Sequence, residues 1–197
     1  MSNVDNVKDV SKVTVTQKDI EWAEHTYKTE SYEESIWEAA VDDTNTYIKD
    51  YDVKIEGLQS LVNKLDVKKF VMEEDLEHVT NKGEALDRTY NELTQKPKLM
   101  LTQDERNFLD KYDENKKVIE FEKNALTFSL AEMDTIIEQK EKSIQADEYK
   151  KKILEAHRDI RVVPRYEKEA KEAKEAYDHW QELKEIAKAQ EEALKEK

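Results

Sequence analysis

The dominant pattern along the chain is an alternation of apolar residues at spacings of three and four. From Trp37 onward it keeps one frame. Trp37, Thr44, Tyr51, Leu58, Leu65, Met72, Val79, Leu86 and Leu93 occupy one core position of a heptad, and Val41, Ile48, Ile55, Val62, Lys69, Leu76, Gly83 and Tyr90 occupy the other. Of these 17 sites, 14 are apolar. Eight heptads without a phase change predict a long helix that packs on another along a coiled-coil seam. Extended backwards, the frame catches Tyr27, Ala23 and Ile20 but puts Glu30 and Glu34 at core sites. A break or bend is therefore expected near residues 29–31, with Ser31 capping the helix that follows.

Start and stop signals divide the rest. Thr16 followed by Asp19, and Ser31 followed by Glu34, each pair a capping oxygen with an acid in the first turn. Pro97 ends the long helix, because proline disfavours helical geometry in the residue before it and cannot donate its own amide. Thr102 and Glu105 then form a full capping box. The next helix carries Phe108, Leu109, Tyr112, Val118, Ile119, Ala125, Leu126, Met133, Ile136, Ile137, Ile144, Ile153 and Leu154, a stripe wider than a two-stranded seam needs. Pro164 interrupts again, and Ala173, Ala176, Trp180, Leu183, Ala187, Gln190 and Leu194 line a last helix.

The expected architecture is all-α: an elongated antiparallel coiled-coil hairpin of two long helices plus a shorter C-terminal helix. Its parts are a polar tail over 1–15, a short helix over 16–30, a hairpin over 31–160 turning at 96–102, and a C-terminal helix over 161–197 after the Pro164 break. Gly83, at a core position, is expected to admit a close neighbour or to mark a bend.

Composition supports this and narrows the chemistry. Among 197 residues there are two glycines, two prolines and no cysteine, and 41% are charged. So few glycines argue for few chain reversals. The missing cysteine excludes disulfides, thiolate metal sites and thiol catalysis within the chain. A net charge of -14 disfavours direct binding to nucleic acid or to an anionic membrane. The first residues lack the apolar run of a signal peptide, so the expected location is the cytoplasm or a complex assembled inside the cell.

The nearest approach to a bundle metal motif is Asp75 with His78, three residues apart. The heptad frame points His78 away from the seam, and His25, His157 and His179 have no comparable partners. No metal, no cofactor, no small-molecule substrate and no catalytic residue are expected, since the chain offers neither an activated nucleophile with its base nor the loops to enclose one.

Two charge features carry the functional expectation. Residues 19–56 hold twelve acids against Lys28, Lys49 and Lys54, together with Trp22, Tyr27, Tyr32, Trp37, Tyr47 and Tyr51. Trp37 and Tyr51 belong to the seam. Trp22 and Tyr32 fall off the frame, and with Glu33, Glu34, Asp42 and Asp43 they form the expected partner-binding surface, aromatic anchors ringed by charge. Residues 150–168 are basic, with seven cations against three acids, and read as a solvated face or a surface for an acidic partner. The chain looks like the long heptad-patterned helical proteins that act as spacers, adaptors, assembly factors or structural parts of larger complexes, phage particles among them. The expected function is a non-enzymatic structural or assembly component that binds a protein partner, itself, or both. The alternative is an acidic regulatory inhibitor that occupies a basic or nucleic-acid-binding surface of a partner. A helical rod of this kind should show a longest dimension of at least ~90 Å in small-angle scattering. A compact particle with a radius of gyration of about 16 Å would contradict it.

Overall fold

The computed structural model describes residues 14–195. The tail expected over 1–15 lies outside these residues except for Thr14 and Val15. Among the described residues every regular element is helical. Helix α1 spans Gln17–Thr94, α2 spans Gln103–His157 and α3 spans Val163–Lys195. A 3₁₀ turn, Lys98–Met100, joins α1 to α2, and a π-helical turn, Arg158–Val162, joins α2 to α3.

The long helices start where their capping residues stand. The Thr16 amide donates to Asp19 Oδ2 at 2.8 Å and the Asp19 amide to Thr16 Oγ1 at 3.3 Å. The same reciprocal pair opens α2, with the Thr102 amide to Glu105 Oε2 at 2.8 Å and the Glu105 amide to Thr102 Oγ1 at 3.3 Å. Each box satisfies amides that have no partner inside the helix. Between the helices the Met100 amide bonds the Pro97 carbonyl at 2.8 Å, and Lys96 Nζ lies 2.8 Å from Glu105 Oε1 across the turn.

The chain forms two compact units, Tyr51–Lys150 and a second made of Met1–Asp50 with Lys151–Lys197. In the Tyr51–Lys150 unit the helices run antiparallel. As the α1 partner advances through Lys54, Lys69, Asp87 and Lys96, the ion-paired residue recedes through Asp147, Asp134, Lys116 and Glu105. Every heptad site from Tyr51 to Leu93 is buried or half-buried. Tyr112, Ile119 and Met133 are buried on α2. Gly83 admits a close neighbour and α1 does not end there: a Cβ at Gly83 would lie 3.2 Å from Ile119 Cγ2. The broad stripe of α2 divides. Leu126 and Ile137 join the seam, whereas Val118, Phe121, Phe128 and Ile136 are exposed.

In the other unit α3 packs antiparallel along the first part of α1. Val15, Tyr27, Trp37 and Asn45 meet Gln190, Tyr177, Arg165 and Arg158 in turn. Two sequence expectations need correction here. The helix of 16–30 is not separate, because α1 runs through residues 29–31 unbroken and Ser31 caps nothing. Glu30 and Glu34 keep their half-buried seam positions. At Glu30 the carboxylate lies within 4.8 Å of those of Glu169 and Glu172, and Arg165 and Lys168, paired with these two, supply positive charge beside it. Nor does Pro164 end a helix. Proline cannot donate to a carbonyl four residues back, and the chain answers with a wider turn in which the Val163 amide bonds the Arg158 carbonyl, five residues back. Helical structure therefore continues from α2 through the π turn into α3, and the boundary expected at 160/161 is a change of winding.

The two glycines give a test. An added methyl at Gly57 meets nothing within 4 Å, so Gly57→Ala should gain about 0.5–1 kcal/mol and raise the circular-dichroism melting midpoint by about 2–4 °C. Gly83→Ala has the same propensity gain opposed by the Ile119 contact and should raise it less or lower it. An equal rise at both positions would show that Ile119 yields freely.

Candidate interaction surface

The acidic, aromatic stretch lies on α1. Its residues separate as the heptad frame requires. Tyr27 joins a seam cluster, 5.2 Å edge-on from Tyr177 and 5.5 Å from Trp180, against which it stacks. Lys184 Nζ sits 4.5 Å from the Trp180 ring centre. Trp37 is half-buried under the Arg165 guanidinium at 5.8 Å. Tyr51, in the other unit, is half-buried beneath Lys54 at 5.9 Å. Trp22 is instead 73% exposed, Tyr32 66% and Tyr47 60%. Sequence reasoning picked out the first two of these and missed Tyr47, which also lies off the a and d positions.

The acids divide likewise. Glu33, Asp42 and Asp43 are exposed. Glu34 is half-buried and lines a depression with Tyr27, Ser31 and Tyr177, so it sits apart from the open face of Trp22 and Tyr32. The basic stretch of 150–168 is largely engaged by its own chain. Arg158 bonds Asn45 at 3.1 Å and Asp159 at 2.8 Å, and Arg165 covers Trp37 and pairs with Glu169 at 2.7 Å. The Arg158 pKa is raised, first by the hydrogen bond to Asp159 and then by the charges of Asp159 and Glu155.

Two clusters could carry chemistry. Glu30, Glu169 and Glu172 bring carboxylate oxygens within 4.8 Å of one another, a donor set suited to a hard divalent cation. Arg165 already stands 2.7 Å from Glu169, and Lys168 stands 3.0 Å from Glu172 and 3.6 Å from Glu169. The chain thus supplies the positive charge itself. Asp75 and His78, the sequence motif, are both exposed beside Phe121 and Ala125.

The second cluster joins Tyr112, Asp87 and Lys116. The Tyr112 hydroxyl donates to Asp87 Oδ1 at 2.6 Å, and Lys116 Nζ donates to the same oxygen at 3.0 Å and to the Tyr112 oxygen at 3.0 Å. Tyr90 stacks on Tyr112 with ring centres 3.8 Å apart. Each group is pushed deeper into its ordinary protonation state. The hydrogen bond to Asp87 raises the tyrosine, those from Tyr112 and Lys116 lower the carboxyl, and those to Tyr112 and Asp87 raise the lysine. A general base or nucleophile needs the opposite shift in tyrosine or lysine, so this arrangement fastens α1 to α2.

No helix among the described residues is long and apolar enough to cross a membrane. Compared with protein-family models, with curated proteins and with solved structures, the chain has no match.

The Asp87 cluster sets a pH dependence. A carboxyl made more acidic by folding stabilises the folded state above its ordinary titration range and loses that contribution as pH falls through its folded value. The melting temperature should drop between about pH 5 and pH 2, and Asp87→Asn should flatten part of that decline. Identical acid limbs for the two proteins would show that Asp87 titrates alike folded and unfolded.

Proposed function

We propose that this chain is a non-enzymatic, elongated coiled-coil interaction protein, a structural or assembly component of a larger complex. The observation that carries the reading is the exposure of Trp22 and Tyr32 in the acidic stretch of α1, where the neighbouring aromatics Tyr27 and Trp37 are drawn against α3. An exposed indole gains nothing from the seam, whereas buried at an interface an aromatic residue often contributes more than ~1 kcal/mol. Glu33, Asp42 and Asp43 lie exposed on the same helix and would steer a basic surface toward it, in a salt-dependent way. Coiled-coil packing, with side chains of one helix seated between those of the other, accounts for the unbroken three-and-four spacing of buried sites. The direction in which Tyr112, Asp87 and Lys116 are tuned supports a role without catalysis.

The same acidic face supports a second reading, a regulatory inhibitor that covers a basic surface of its target. The two differ in what binding does to the partner: an assembly component leaves its partner's activity in place, and an inhibitor removes it.

The test is Trp22→Ala, alone and with Tyr32→Ala, measured against a partner captured by affinity from the native source. Because both side chains are exposed, the variants should melt within about 2 °C of the parent and bind the partner at least tenfold more weakly, a loss of ~1.4 kcal/mol. Variants that keep both stability and affinity would remove Trp22 and Tyr32 from the interface.

A further inference from the structure

The turn between α1 and α2 has the opposite character to the acidic stretch. Leu93 and Leu101 are buried and Leu109 is half-buried at the base of an open depression of about 550 Å³. That volume falls within the range of ordinary ligand pockets. Leu99, 95% exposed, lines it with Lys98, Arg106 and one exposed acid, Asp110. Among the described residues Lys96 is held by Glu105, whereas neither Lys98 nor Arg106 makes an ion pair. The surroundings are stiff: the capping box of Thr102 and Glu105, the Lys96 bridge and the Pro97–Met100 hydrogen bond all fasten this loop. The groove is therefore preformed, which lowers the ordering cost of filling it.

Lys98 and Arg106 are available cations on a molecule of net charge -14. A concave apolar site whose lining carries Lys98 and Arg106 against the single acid Asp110 fits an aromatic side chain carried on an acidic element. The chain presents such an element at the same concentration as the groove itself: Trp22, 73% exposed, at the start of a stretch with twelve acids against three lysines. An anionic bilayer fits less well. Its surface cannot fill a concavity, and the charge of the whole molecule opposes approach.

We propose that the groove at the α1–α2 turn receives the acidic segment around Trp22 of a second copy, so that copies join head to tail. This rests on the reading of the Trp22 surface as an interface and names its acceptor. Donor and acceptor are different surfaces, so the contact is heterologous and each copy added leaves one of each free. Association is then open-ended or closes as a ring, and falls as salt rises.

Sedimentation velocity on the full chain across the micromolar range tests this. The parent should form a concentration-dependent series beyond the dimer, reduced by salt. Lys98→Glu with Arg106→Glu, and separately Trp22→Ala, should each weaken association at least tenfold without changing the melting curve. The two variants mixed should stop at a one-to-one pair, since the Trp22→Ala chain keeps its groove and the double variant keeps its tryptophan. A parent that stays monomeric overturns the proposal. So does association unchanged in both variants, which would indicate side-by-side packing through Phe121 and Phe128. Flotation of the monomeric parent with phosphatidylserine vesicles, lost in the Lys98→Glu, Arg106→Glu chain, would overturn it in favour of a membrane occupant. If the groove variants have no effect but Trp22→Ala still weakens binding to a captured protein, only the head-to-tail contact fails. If Trp22→Ala affects neither, the interface reading fails with it.

Discussion

Everything in this structure depends on one constraint: a stripe of side chains three and four residues apart must find a facing stripe of matching register. Burial of an amphipathic face, more than propensity, supplies most helical stability in proteins. Burial on α1 recurs at the heptad sites, and ion pairs between the helices, such as Lys69 with Asp134, follow one antiparallel register. Surface pairs of this kind add little individually. Their value is positional, since a slip of one heptad would set Lys54 and Lys69 away from Asp147 and Asp134.

The legible part of the fold was the part written in repeated signals. Thr16 with Asp19 and Thr102 with Glu105 announce helix starts through a local chemistry that needs no tertiary context, and both form the expected bonds. The off-frame position of Trp22 and Tyr32 likewise translates directly into exposure. What failed were inferences from single residues against the frame. Glu30 and Glu34 looked like breaks because a carboxylate at a core site is costly alone. That reasoning could not see the cations of α3 that stand beside Glu169 and Glu172, the neighbours of Glu30. Asp147 and Glu169, each 3% exposed, were overlooked for the same reason. Their partners, Lys54 and Arg165, are what make burial tolerable.

Pro164 was misread because proline has two outcomes in a helix, ending it or widening it. The buried and half-buried sites Leu154, Arg158, Val162 and Tyr166 are spaced by four throughout. That run carries one residue more than alternating threes and fours would, and the π turn at Arg158–Val162 absorbs it. The spacing was present in the sequence, but Arg158 and Tyr166 do not look like core residues until α1 is placed beside them. The groove at the turn was harder still to foresee, since Leu93, Leu101 and Leu109 converge only once the loop is fastened.

One feature of the seam reaches into how such a molecule comes apart. No large side chain among the described residues is fully buried, because within each unit a seam residue has a helix on one side and solvent on the other. There is no central cluster whose disruption must collapse everything at once. Stability in such a layout is closer to a chain of neighbour terms than to a single all-or-none quantity, so opening proceeds by fraying from the helix ends inward. Amide protons would then exchange on a gradient along each helix, fastest at the termini and slowest toward the middle, and no one unfolding energy would describe the whole chain.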